Sequence, residues 1–104
     1  MPRYAVYSRS DFNMKVPVGE LMVAPGGALE TNPTHTPEGL LLRETVEQIA
    51  AEKTLPARVE DAVGSGPDLR LVTRLLDVEK GSPYYPAAVV SALTIRQGFR
   101  CQLL

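Results

Sequence analysis

The sequence predicts an α+β domain, a small mainly antiparallel sheet with two principal helices packed on one face. Three observations point there. Short alternating segments open the chain in "RYAVYS" and "GELMV". One amphipathic helical pattern follows "THTP", and a second follows "GPD". The C-terminal stretch "AAVVSALTIRQGFRCQLL" is rich in β-branched residues. At 104 residues the chain is the size of one domain, 1–104. Its 44% hydrophobic and 22% charged residues are ordinary globular values.

The elements are taken in order. In "RYAVYS", Tyr4, Val6 and Ser8 share one face and Ala5 and Tyr7 the other, the period of a strand. "SRSDFN" is a turn, because Ser, Asp and Asn bond locally to the backbone. A second strand is expected at Glu20–Ala24, stopped by Pro25-Gly26-Gly27. "APGGAL" lacks the lysine, hydroxyl and spacing of a phosphate loop and reads as a hairpin or loop turn. "ALETNPTHTPEG" reads as irregular.

A helix is expected next, with Thr36 as N-cap, Pro37 at the first position and Glu38 at the positive end of the helix dipole. Gly39 weakens that turn, so the start could slip toward Leu41. Leu42, Val46, Ile49, Ala50 and the stem of Lys53 form its apolar face. Arg43–Glu47 has the spacing of an intrahelical ion pair, and Arg74–Asp77 would have it in the second helix. "ARVEDAV" fits one or two helical turns. The second helix is expected between Pro67-Asp68 and Gly81, with Leu69, Leu71, Val72, Leu75, Leu76 and Val78 on one half of the wheel. Val89, Val90, Thr94 and Ile95 then favour a strand over 88–96. Against it, Pro86 and Gly98 would suit the two ends of a helix. Gly98 is expected in a bulge or turn before a closing strand over 99–103.

The net charge is −1, with a mild spread of −3 over 38–61 and +2 over 81–104. A nucleic-acid binder neutralises many phosphates with a basic stripe, and none is present. One cysteine excludes an intrachain disulfide framework and a zinc site of several cysteines. A lone thiol sits most easily in a reducing cytoplasm, so a cytoplasmic protein is expected. There is no secretory pattern at the N-terminus and no long uncharged apolar run.

No catalytic, cofactor-binding or metal-binding residue set emerges. His35, in "NPTHTP", has no partner spacing for a metal or for a nucleophile pair with Cys101. "GSPYYPA" holds Tyr84 and Tyr85 between prolines, which lower the entropy cost of presenting the rings to a protein partner. The alternative is that one or both rings pack on the core as a lid. "CQLL" has the form of a geranylgeranylation signal on Cys101. The favoured reading of that segment is a terminal strand with Phe99, Cys101 and Leu103 on one face.

Three functional readings follow. The first, and favoured, is a non-enzymatic protein-interaction or regulatory module, self-associating or binding another protein through Tyr84 and Tyr85. The second is a small ligand-binding or enzyme subunit that recognises an anionic metabolite through Arg3, Arg9 or His35. The third is a protein tethered to membranes by prenylation of Cys101.

Overall fold

A computed structural model describes residues 2–63 and 70–104, with side chains described for residues 2–55 and 77–104. The first strand, β1 (Arg3–Tyr7), pairs antiparallel with β2 (Pro17–Val23), Arg3 opposite Met22 and Val6 opposite Gly19. A short 3-10 turn at Pro25–Gly27 returns the chain, and Ala24 N–H donates to Ala28 C=O at 2.8 Å.

The returning segment is a strand, β3 (Leu29–Pro33), in register with β2 from Val23↔Leu29 to Gly19↔Pro33. This corrects the irregular loop expected there. Pro33 disguised the strand, yet its missing N–H falls on the side away from β2, where no ladder bond is lost. The last strand, β6 (Arg100–Leu103), pairs antiparallel with β1, and the sheet runs β3-β2-β1-β6.

Helix α1 spans Pro37–Ala50. Thr36 caps it as expected, its Oγ1 accepting from Gly39 N–H at 3.0 Å. The start does not slip. Leu42, Val46 and Ile49 are buried, while Lys53 lies beyond the helix end.

Two further elements exchange types relative to the sequence expectation. The segment read as a second helix is a strand, β5 (Arg70–Glu79); its expected start at Pro67-Asp68 lies outside the described residues. It pairs with β4 (Thr54–Val63), which contains the "ARVEDAV" read as helical turns. Ladder partners run without a break from Thr54↔Glu79 to Val63↔Arg70. A local helical pattern in one segment yields when a neighbouring segment pairs with it along its whole length, as β4 does here in a two-stranded sheet. The expected Arg74–Asp77 pair falls on a side chain outside the described set.

The segment read as a strand over 88–96 is helix α2 (Tyr85–Gln97). Tyr85, Ala88, Val89, Ala92 and Leu93 are its buried residues, the three-and-four spacing of a helix face. Pro86 sits in the first turn, and Gly98 caps the end at φ 71°, ψ 13° with its N–H on Thr94 C=O at 2.8 Å. A left-handed cap of this kind suits glycine and specifies a helix stop. These end signals outweigh the strand preference of Val89, Val90 and Ile95.

Both helices pack on the same side of the sheet. One core joins Val6, Val18, Leu21 and Val23 of the sheet side, Leu42, Val46 and Ile49 of α1, and Leu55 and Val78 at the base of the β4–β5 hairpin. Tyr85, Ala88, Val89, Ala92 and Leu93 of α2, with Phe99, complete it. The α+β architecture expected from the sequence is therefore present, with the identity of the second helix changed. No described helix is long and apolar enough to cross a membrane.

Candidate functional site

The sheet ends on one side at β3. Thr34 N–H donates to Val18 C=O at 2.9 Å, and Ala24 N–H donates to Ala28 C=O at 2.8 Å. Antiparallel bonding alternates between these fixed points, so Glu30 and Asn32 direct their backbone groups at β2. Leu29, Thr31 and Pro33 direct theirs outward. The free edge thus offers the N–H groups of Leu29 and Thr31 and the carbonyls of Leu29, Thr31 and Pro33. Side chains alternate with the same period. Leu29, Thr31 and Pro33 lie on the helix face with Leu21 and Val23, and Glu30 and Asn32 lie on the opposite face.

Beside this edge runs a groove of about 890 Å³ between β3 and α1. Its helix wall is one stripe of α1: Pro37, Leu40, Arg43, Glu47 and Ala50. Leu40 is 52% exposed there, a large apolar side chain on the groove wall. The connecting turn Thr34–Thr36 closes one end of the groove and is pinned. Thr34 N–H and Oγ1 both donate to Val18 C=O, and the Thr34 and Thr36 hydroxyls are 2.8 Å apart. Arg43 Nε donates to Glu47 Oε1 at 3.1 Å, as the sequence spacing foretold, so the groove carries one charge of each sign beside His35. Such a wall lacks the field that would concentrate a phosphate-like ligand.

The residues proposed to hold an anion do not converge. Arg3 is engaged by Glu20 at 3.0 Å on the sheet face away from the helices. The Arg9 side chain lies where a Cβ on Gly98 would meet it at 2.9 Å. His35 alone borders the groove. Among the described residues, no group of three or more His, Cys, Asp or Glu is placed to hold a metal ion.

The tyrosine pair is divided. Tyr84 is 68% exposed at the N-cap of α2, whereas Tyr85 is 2% exposed within the core. Among the described residues the Tyr85 hydroxyl makes no hydrogen bond, and burial, then the negative charge of Glu52, hold its pKa above the ordinary phenol value. Glu52 is itself paired with Arg96 of α2 through Oε1.

Cys101 lies in β6 opposite Val6, partly buried against the core. Burial pushes its thiol from the ordinary 9.0 up to about 12. At neutral pH the thiol is therefore held in its protonated, weakly nucleophilic form. A raised folded-state pKa means that the unfolded chain ionises more readily. The contribution of Cys101 to stability is complete below about pH 9 and is lost as pH rises toward about 12. Tyr4 and Tyr85, also raised, act in the same direction. Urea unfolding at pH 7 and pH 10.5 should show lower stability at the higher pH, with a smaller drop in Cys101→Ala. Equal drops in the two proteins would remove Cys101 from the explanation.

The β3 edge and Leu40 went unnoticed in the sequence. The available signal was "LETNP", whose alternation after a Pro-Gly-Gly turn is that of a returning hairpin strand. Comparison with protein-family models, with curated proteins and with solved structures finds no match to this chain.

Proposed function

We propose that this chain is a non-enzymatic protein-interaction module that accepts an extended segment of a protein partner as an added strand along β3. One observation carries the reading: among the described residues β3 has no strand on its outer side, and that edge runs beside a groove walled by a helix. Strand addition uses backbone bonds for affinity and pockets for alternate side chains for selectivity. Here the N–H groups of Leu29 and Thr31 supply the bonds, and the groove receives side chains of the added strand on the helix face. The edge spans five residues, on the order of 17 Å, enough for a short segment. Pro33 at its end limits further growth of the ladder, as proline does at natural sheet edges.

The test begins with peptides selected from a displayed random library on the immobilised protein. Amide chemical-shift changes on peptide binding are expected at Leu29 and Thr31. Thr31→Val keeps the outward N–H but loses the hydroxyl bond to Glu20 C=O (2.7 Å). Thr31→Pro loses both. Binding should survive in the valine variant and weaken at least tenfold in the proline variant. Equal affinity in the two variants, or shifts confined to other surfaces, would refute strand addition at β3.

A further inference from the structure

We propose that the strand added to β3 is β3 of a second copy of this chain, antiparallel and centred on Thr31. This rests on reading β3 as a strand-accepting edge, and it names the partner. A two-fold interface requires one patch to complement itself. The outward backbone groups belong to Leu29, Thr31 and Pro33, so an antiparallel copy must pair among these positions.

With Thr31 facing Thr31 of the second copy, the two threonines exchange both of their backbone bonds. Leu29 N–H then donates to Pro33 C=O of the second copy, and the reciprocal bond forms by symmetry. Proline faces the only position where its missing N–H is tolerated, since Leu29 C=O still has solvent access at the strand end. On the face away from the helices, Glu30 stands opposite Asn32 of the second copy, twice. Both side chains are exposed, and an amide donates to a carboxylate across a close cross-strand pair.

The neighbouring registers are worse. Centring on Glu30 places two carboxylates directly opposite each other, which is repulsive. Centring on Asn32 leaves only the Thr31 N–H groups facing carbonyls within β3, those of Pro33. The helix-wall stripe adds no net repulsion, because Arg43 and Glu47 carry opposite charges. Leu40, half-exposed in one copy, gains apolar neighbours from Leu29 and Pro33 of the other entering the shared groove.

Sedimentation equilibrium over a concentration series, with hydrogen exchange at single amides, tests this. A dimer is expected, with concentration-dependent protection at Leu29 and Thr31. Asn32→Glu sets like charges opposite each other twice and should weaken the dimer roughly tenfold at low salt, less at high salt. Adding Glu30→Lys to Asn32→Glu restores opposite charges and should restore the dimer. A dimer protected instead at Cys101 and Leu103 of β6 would overturn the proposal, as would a failure of the double variant to rescue. A chain that stays monomeric while library peptides still shift Leu29 and Thr31 would overturn the self-partner and leave strand acceptance standing. A monomer with neither effect would remove both.

Discussion

Gly39→Ala is expected to destabilise the protein by about 3 kcal/mol, the upper end of overpacking costs. Helix propensity alone argues the opposite, since alanine in a helix is favoured over glycine by about 1 kcal/mol. The local geometry decides the sign. A Cβ at position 39 would lie 2.0 Å from the Thr34 carbonyl oxygen and 2.8 Å from both Thr34 C and Oγ1. The nearest obstacle is backbone, which cannot rotate away as a side-chain tip can. That backbone is held by Thr34 N–H and Oγ1 on Val18 C=O and by the hydroxyl contact with Thr36, the helix cap. Relief therefore means moving the turn off β2 or moving the helix start off the turn. Urea unfolding measures the loss directly. Thermal unfolding should fall by on the order of 10 °C or more. A stabilised alanine variant would mean that the Thr34–Thr36 turn is not held against α1 in solution. The same turn closes the β3–α1 groove, so any Gly39→Ala protein that still folds should also bind a strand more weakly.

The role of Gly39 shows what the sequence revealed and what it concealed. Thr36, Pro37 and the 42–46–49 spacing are local signals, and they located α1 correctly even though Gly39 argued for a later start. Glycine there is required by a close approach from Thr34, a contact five residues away in sequence that no propensity encodes. The exchange of strand and helix after residue 54 has a related cause. Leu71, Val72, Leu75 and Leu76 fit a helical wheel, but β4 supplies a complete ladder to that segment, and pairing is a property of two segments at once. For α2 the decisive signals were already local: Pro86 in the first turn and Gly98 as a left-handed cap. The β-branched residues point to a strand, yet only Val89 of them is buried on the helix face, with Ala88, Ala92 and Leu93, while Ile95 is exposed.

The candidate site follows the same division. The Arg43–Glu47 pair was legible because it is one turn of one helix. The β3 edge was not, since a strand becomes an edge only when its neighbours are known. "GSPYYPA" was legible as aromatic and restrained, but its division into a surface ring and a core ring depends on where α2 begins. With Tyr84 as N-cap and Tyr85 as the first buried residue, one step along the chain turns the next ring inward.

That division gives the second large effect. Tyr85→Ala is expected to cost about 3–5 kcal/mol, as for other fully buried aromatics truncated to alanine. The ring is 2% exposed and joins Val89, Leu93 and the sheet in one core, so the cavity has little means of collapsing. Tyr84→Ala should change stability by less than about 0.5 kcal/mol, because an exposed ring leaves no cavity. Tyr85→Phe separates the ring from its hydroxyl. That oxygen is buried, lacks a hydrogen-bond partner among the described residues and feels the negative charge of Glu52. Removing it abolishes a desolvation penalty without breaking a bond, so the phenylalanine variant should match or exceed the parent by up to about 1 kcal/mol. Denaturant unfolding of the three variants reads all of this at once. A large loss in Tyr85→Phe would mean that the hydroxyl does find a partner in solution; Glu52, whose Oε2 is also buried without a partner among the described residues, is the acceptor to test by Glu52→Gln. Equal and small losses in Tyr84→Ala and Tyr85→Ala would mean instead that both rings face outward, and the start of α2 would have to be redrawn.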